Sequence, residues 1–186
     1  MGKKEKSLYA VFGEEEAAYG TIGGELKQEK KKKRIMNLTQ HPASKEQIKE
    51  GAYDIEDNKE RKKLKALLTF EELPTGKEIE ERANQIAELA LRNARCFQCG
   101  GKGLVPMGAG VECSNCGMDQ EVYVMIGGAP FLMRHLEFAL ECRGIKPLYA
   151  FSRRESREET LPDGSVKKIQ IFRHLGFIKP KTPRLA

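Results

Sequence analysis

The stretch CFQCGGKGLVPMGAGVECSNCG, residues 96–117, carries four of the five cysteines of the chain as two Cys-x-x-Cys-Gly pairs, thirteen residues apart. In a reducing compartment this spacing points to a metal rather than to disulfides. Cys96, Cys99, Cys113 and Cys116 therefore predict a four-thiolate tetrahedral zinc site of the ribbon type, with a redox pair as the alternative. Gly100 and Gly117 follow the pairs and allow each loop to turn its N–H groups toward the sulfurs. Between the pairs, LVPMGAGVE reads as a small hairpin turning at Gly108, Ala109 and Gly110. Four protein ligands leave no open position for a reactive water, so the zinc is expected to be structural. So short a segment buries too little apolar surface alone, and the metal replaces the missing core.

The segments on either side follow an α/β pattern. IMNLTQH, residues 35–41, reads as a buried strand closed by Pro42, which holds the residue before it in extended geometry. Ser44 and Gln47 form a capping box for a short helix ending at Gly51. A second helix is expected from Asn58 to Leu68. A third begins near Thr75, with Ile79, Ala83, Ile86, Ala87, Ala90 and Leu91 at three-and-four spacing on one buried face. Beyond the cysteines, Val122, Tyr123, Val124, Met125 and Ile126 form an apolar run suited to a strand buried on both faces. Gly127, Gly128 and Ala129 lead into a helix with Pro130 in its first turn and Gly144 past its end. Cys142 in that helix reads as a buried thiol and His135 as structural. KPLYAFS, residues 146–152, reads as a strand, and the rest as a C-terminal β-hairpin turning at Pro162, Asp163 and Gly164. The predicted architecture is α/β with a mainly parallel sheet and helices on both faces. His174, in the last strand, stays ambiguous.

The net charge is +6 in 186 residues. It is uneven: nine Lys/Arg face six acids in residues 1–34, eleven face twelve in residues 35–95, and thirteen face nine in residues 96–186. The run KKKKR, residues 30–34 from Lys30 to Arg34, is either a solvated linker or a weak, non-specific nucleic-acid contact. Residues 1–29 read as a small hairpin or a loose arm. No apolar run approaches membrane-spanning length and the N-terminus lacks a signal-peptide core, so the expected location is cytoplasmic, without a membrane partner. Walker, G-x-S-x-G and H-E-x-x-H motifs are absent.

In parallel α/β sheets, ligands bind beyond the carboxyl ends of the strands. Three such ends are legible: Thr39, Gln40 and His41; Gly127, Gly128 and Ala129; Ser152, Arg153 and Arg154. The glycines permit close backbone approach, the helix after them points its positive end there, and the arginines supply charge. His41 is the candidate for acid–base work. Each group also has a plain structural reading: a hydrogen-bonding histidine, a tight turn, and arginines paired with Glu155, Glu158 and Glu159.

NLTQHPASKEQIKEGAYDI, LLTFEELPTGKEIEERANQIAELA, MIGGAPFLMRHLEFALECRGIKPLYAFSRRES and PDGSVKKIQIFRHLGF together resemble a family of small proteins of phage, prophage and CRISPR-linked loci. The resemblance covers residues 35–95 and 120–178. Asn37, His41 and Pro42 are also similar to the opening strand of CRISPR-associated Rossmann-like proteins that bind or degrade cyclic oligoadenylates. The resemblance implies a Rossmann-like domain in two parts, residues 35–95 and 119–178. A four-cysteine zinc ribbon is inserted at 96–118, with a basic arm at 1–34 and a tail at 179–186. It implies a ligand edge of Thr39, Gln40, His41, Gly127, Gly128, Ser152 and Arg153. Because relatives carry a short loop in place of the ribbon, loss of the metal is expected to unfold the ribbon and spare the sheet. Two functions follow. One is binding of a small anionic nucleotide, with or without its cleavage, by a monomer or homodimer. The alternative is a non-enzymatic nucleic-acid or protein adaptor using the ribbon and the basic arm.

Overall fold

The computed structural model of the chain describes residues 10–11, 33–108, 110–160 and 166–180. In chain order the first elements are β1 (Ala10–Val11), β2 (Ile35–Asn37), α1 (Lys45–Lys49), β3 (Ala52–Asp54), α2 (Asn58–Leu68) and α3 (Gly76–Asn93). The cysteine segment contributes β4 (Leu104–Met107), β5 (Gly110–Cys113) and β6 (Asp119–Gln120). The chain continues through β7 (Val122–Ile126), α4 (Pro130–Glu141), β8 (Ile145–Thr160) and β9 (Val166–Lys179).

The main sheet runs β1-β9-β8-β7-β2-β3, and the small sheet β4-β5-β6. Strands β8, β7, β2 and β3 are parallel; β9 and β1 join antiparallel at one edge. All residues of β2 and β7 are buried, as the centre of a parallel sheet requires. Alternation splits their side chains between two clusters. Met36, Val122, Val124 and Ile126 pack with Leu64 and Leu68 of α2, Ile86 and Leu89 of α3, and Leu132, Leu136 and Leu140 of α4. Ile35, Tyr123, Met125 and Leu148 pack with Ala52 and Phe177 on the opposite face. The expected cover of helices on both faces is therefore uneven. α2, α3 and α4 share one side, and α1, too short to bury any residue of its own, lies on the other.

The helix starts agree with their caps. Gln47 N–H donates to Ser44 Oγ at 3.3 Å while Ser44 N–H donates to Gln47 Oε1 at 2.8 Å. Glu78 N–H donates to Thr75 Oγ1 at 3.2 Å. The last carbonyls of α2 are taken by Arg82 of α3, which donates to Thr69 O at 2.5 Å and to Ala66 O at 3.2 Å.

Three expectations are corrected. The three-residue strand β3 was not foreseen. It pairs with β2 through Ile35–Ala52, Met36–Tyr53 and Asn37–Asp54, and so extends the parallel sheet by one edge. β8 does not end at Ser152: the polar RRESREET continues the strand, because β9 supplies a hydrogen-bonding partner as far as Thr160. Cys142 is exposed rather than buried, since it caps α4 at its solvent end.

The ribbon is also less separable than expected. Cys96, Leu104, Val111 and Cys113 belong to the same buried cluster as α3 and α4. Gly144, at φ 71°, lies so close to β5 that a Cβ there would stand 2.5 Å from Gly110 O. This packing argues against a sheet indifferent to its metal.

Several expected features lie outside the described residues: most of the arm over 1–29, the first residues of the basic run at 30–32, Ala109 of the ribbon turn, the hairpin turn at Pro162, Asp163 and Gly164, and the tail beyond residue 180.

Gly144→Val should lower the melting temperature by about 3–10 °C, because it combines an unfavourable left-handed residue with a backbone clash. Differential scanning calorimetry measures this, and an unchanged melting temperature would mean that the ribbon does not rest on the end of α4.

Candidate functional site

The metal centre is built from two loops that repeat one design. Gly100 N–H donates to Cys96 O at 2.9 Å and Gly117 N–H to Cys113 O at 2.8 Å. The glycines adopt φ of 70° and 66°, the left-handed geometry such a turn needs. Cys96 Sγ accepts from the N–H groups of Gln98 at 3.3 Å and Cys99 at 3.4 Å. Gln120 of β6 ties the loops together: its Oε1 accepts from Phe97 N–H at 3.0 Å, and its Nε2 donates to Met118 O at 3.1 Å.

The four sulfurs lie within 4.8 Å of one another. The Cys96–Cys116 and Cys99–Cys113 separations are both 3.6 Å. Four thiolates bound tetrahedrally at ~2.3 Å to one ion stand roughly 3.8 Å apart, so the set fits a metal ion. No disulfide links them. Burial pushes the Cys96 thiol up, but the N–H groups of Cys99 and Gln98 and the Cys116 thiol outweigh it and bring it down to about 7. The Met118 N–H lowers Cys116, yet burial and its three sulfur neighbours prevail and push it up to about 12. Four sulfurs this close cannot all carry charge unaided, and a dication at their centre removes the conflict.

The second centre is the carboxyl edge of the sheet, where β2 and β7 end side by side. A cavity of about 530 Å³ opens there, lined by Thr39, Gln40, His41, Pro42 and Gln47, by Met125, Ile126, Gly127 and Gly128, and by Tyr149 and Ala150. The loop from Thr39 to Ala43 is organised by Asn37, which is fully buried. Its Nδ2 donates to His41 O at 2.8 Å and to Asp54 Oδ1 at 2.7 Å. Its Oδ1 accepts from Thr39 N–H at 2.9 Å and Thr39 Oγ1 at 2.8 Å. Asp54 in turn accepts from Ala43 N–H at 3.2 Å and from Arg61 at 2.9 Å. Little in the sequence singles out Asp54 and Arg61; the one signal is a polar residue, Asn37 or Asp54, ending each of the two strands β2 and β3.

The predicted residues divide by what their side chains do. Thr39 is turned inward onto Asn37. Gln40 donates to Leu68 O at 3.1 Å and to Thr69 Oγ1 at 3.2 Å, so it braces α2. His41 is exposed, and its imidazole makes no hydrogen bond among the described residues. Gly127 sits against Thr39, and Gly128 against Met133 and Leu68, each with room for ordinary contact only. Ala129 precedes α4 without a side-chain cap, so the amides of that first turn have no side-chain acceptor.

The third strand end is not brought to the cavity. Ile126 pairs with Tyr149, so Ser152 lies three residues past the end of β7, about 10 Å along the strand. Arg153 stands exposed opposite Arg173, and Arg154 opposite Phe172, its guanidinium 5.8 Å from that ring. Tyr149 and Ala150 take their place at the rim, and Tyr149 Oη donates to Glu137 Oε1 at 2.6 Å. Of the basic run, Lys33 lies 5.2 Å from the Tyr123 ring. His174 is placed as a structural residue: its side chain is buried, 3.3 Å from Glu50 Oε2, with its ring tilted 59° against that of Phe177 at 4.8 Å. His135 is exposed on α4.

Removing the metal should destabilise the whole domain. Chelation under denaturant-free conditions, followed by far-ultraviolet circular dichroism, is expected to lower the main melting transition by at least about 10 °C, because Cys96 and Cys113 are core residues. A chelated protein with unchanged melting would show that the sulfurs carry no structural metal.

A family model described as "Uncharacterized protein MJ1673 family" matches residues 112–178. The match begins inside β5 and runs almost to the end of β9. It takes in Cys113, Cys116, Gly127, Gly128 and the whole β8–β9 hairpin, and leaves out Thr39, Gln40, His41, Cys96 and Cys99. No curated protein and no solved structure matches the chain. Among the described residues no helix is long and apolar enough to cross a membrane.

Proposed function

We propose that the chain is a cytoplasmic binding protein for a small phosphorylated nucleotide, built on a Rossmann-like sheet and stapled by one structural zinc ion. The observation that carries this reading is the cavity at the carboxyl edge, which unites His41 with Gly127 and Gly128 ahead of the uncapped start of α4. A phosphate there would meet backbone N–H donors and the positive end of a twelve-residue helix. The His41 imidazole, which makes no hydrogen bond among the described residues, would donate to a phosphate oxygen or move a proton.

The distance to the arginines favours a ligand of more than one nucleotide. Arg153 lies four residues beyond Tyr149, about 13 Å along β8. A mononucleotide seated at Gly128 would not span this interval; a cyclic oligoadenylate-type molecule would, reaching either Arg153 on one face of the strand or Ser152 and Arg154 on the other. Kinship with proteins of phage, prophage and CRISPR-linked loci is part of this proposal. It rests on the motifs around Asn37, His41 and Gly127, beside a family-model match confined to residues 112–178. Zinc is preferred because four thiolates in a closed tetrahedral set are its commonest structural site. A reducing, cytoplasmic setting agrees with five cysteines that form no disulfide.

The test is a thermal-shift screen of the zinc-loaded protein against mononucleotides, dinucleotides and cyclic oligoadenylates. A ligand at a hundred times its dissociation constant adds about 2.7 kcal/mol of stability, a rise of roughly 5–10 °C for a domain of this size. His41→Ala should weaken binding by about ten-fold, the loss of one charge-assisted hydrogen bond. Chromatography of the incubated nucleotide separates binding from turnover. A fully folded, zinc-loaded protein that no nucleotide stabilises would end this reading.

A further inference from the structure

From Ser152 outward, β8 and β9 leave the sheet. Nine residue pairs, from Ser152–His174 to Thr160–Val166, find no ladder partner but each other among the described residues, and only His174, at the base, also meets Glu50. At ~3.3 Å per residue they form a two-stranded ribbon about 30 Å long. A lone ribbon is marginal in water, so one this long is expected to work against a partner laid along it.

Its composition says which partner. Residues directly opposite one another share a face. One face therefore carries Arg153, Arg157, Lys167 and Arg173 around half-buried Ile169 and Ile171, with only Glu155 and Glu159 as carboxylates. Glu159 stands opposite Lys167, and Glu155 lies 3.8 Å from Arg173. Arg153 and Arg173 are directly opposite, a like-charge pair that costs stability unless an anion bridges it. The other face presents Phe172, 68% exposed, beside Arg154. Cations recurring along ~20 Å of a narrow ribbon suit a polymer of regularly spaced anions better than a single anionic group.

We infer that the β8–β9 ribbon docks on a nucleic-acid duplex, its Arg153, Arg157, Lys167 and Arg173 face meeting the phosphates. Two strands side by side fit the width of a duplex groove, about 12 Å in the B-form major groove. The contacts are to phosphate rather than to base edges, so binding is sequence-blind and salt-sensitive. This surface is distinct from the residues 30–34 and shares only Arg153 with the residues offered to the nucleotide, so the variants below leave Arg153 in place.

The experiment is fluorescence anisotropy of the full chain with labelled duplex DNA and duplex RNA between 50 and 200 mM salt. Arg157→Ala/Lys167→Ala/Arg173→Ala removes three contacts outside the cavity. It should cost at least about ten-fold in affinity at low salt and shrink the log–log salt slope by about three. Glu155→Gln/Glu159→Gln should act in the opposite sense and tighten binding, which loss of folding cannot imitate. Melting temperature and bound metal of each variant report that the fold is intact. The inference is overturned if neither duplex binds at 50 mM salt or if the triple variant binds like the parent. It is equally overturned if polyglutamate of matched charge competes as well as duplex, which would identify an acidic protein surface instead. Binding that disappears only on deleting residues 1–32 would also overturn it.

Discussion

Four sulfurs confined within 4.8 Å decide how the two halves of the domain meet. α3 ends at Asn93, and Cys96 follows almost at once; β6 ends at Gln120, and β7 starts at Val122. The metal loops are thus the crossover between a long helix and the central strand of a parallel sheet. An ordinary connection of that kind needs only a few residues. Here the longer path is closed by four converging cysteines that could hold a metal ion, and its inner residues, Leu104 and Val111, are added to the core under α3 and α4. Just past the crossover, Glu121 holds both Lys146 and the Tyr123 hydroxyl, which fixes the first residues of β7 against β8. Lys146 and Tyr123 keep the Glu121 carboxyl below its ordinary range despite partial burial. The cysteine cluster, β6, Glu121 and β7 form one chain of constraints that ends at Gly127 and Gly128.

The opposite end of the sheet is held by polar groups. Asn37 uses both of its amide hydrogens and accepts twice on its oxygen, so its burial leaves no unmet hydrogen bond. A carboxamide is suited to this place because it offers donors to His41 O and Asp54 and an acceptor to Thr39 at once. Leucine would fill the volume and release the loop; aspartate would offer no donor. The effect is to hold the backbone of the turn still while leaving the His41 ring outside the network. An exposed imidazole on a hydrogen-bonded turn thus stands beside Gly127, Gly128 and the uncapped start of α4.

What could be read from the sequence follows from where each signal originates. The four cysteines, the Ser44–Gln47 and Thr75 caps, and the apolar run of β7 are encoded within a few residues of each other, and each was legible. β3 has three residues, too few for a period to show, and it exists because β2 offers it an edge. Asp54 and Arg61 act through partners brought together by that strand. The change of character at Ser152 was read as an end because apolar residues stop there. Hydrogen bonds to β9 carry the strand on: Pro162, Asp163 and Gly164 announce the hairpin, but nothing local shows that its first strand continues β8 without a break. Cys142 sits among apolar neighbours on α4 but in the last turn, where the helix leaves the core.

β8 belongs to both parts of the molecule. Up to Tyr149 it is a buried parallel strand, packed from both faces and level with the end of β7. Beyond Ala150 the same strand, now polar, has β9 alone. The transition carries a register shift between Phe151 and Ser152, where Leu175 is left without an opposite partner. A bulge of this kind bends the ribbon and increases its twist. It also lets Phe177 face the core on one side of the shift and His174 meet Glu50 on the other. The bulge therefore sets the angle at which the ribbon departs, and it lies beside Tyr149 and Ala150 at the rim of the cavity.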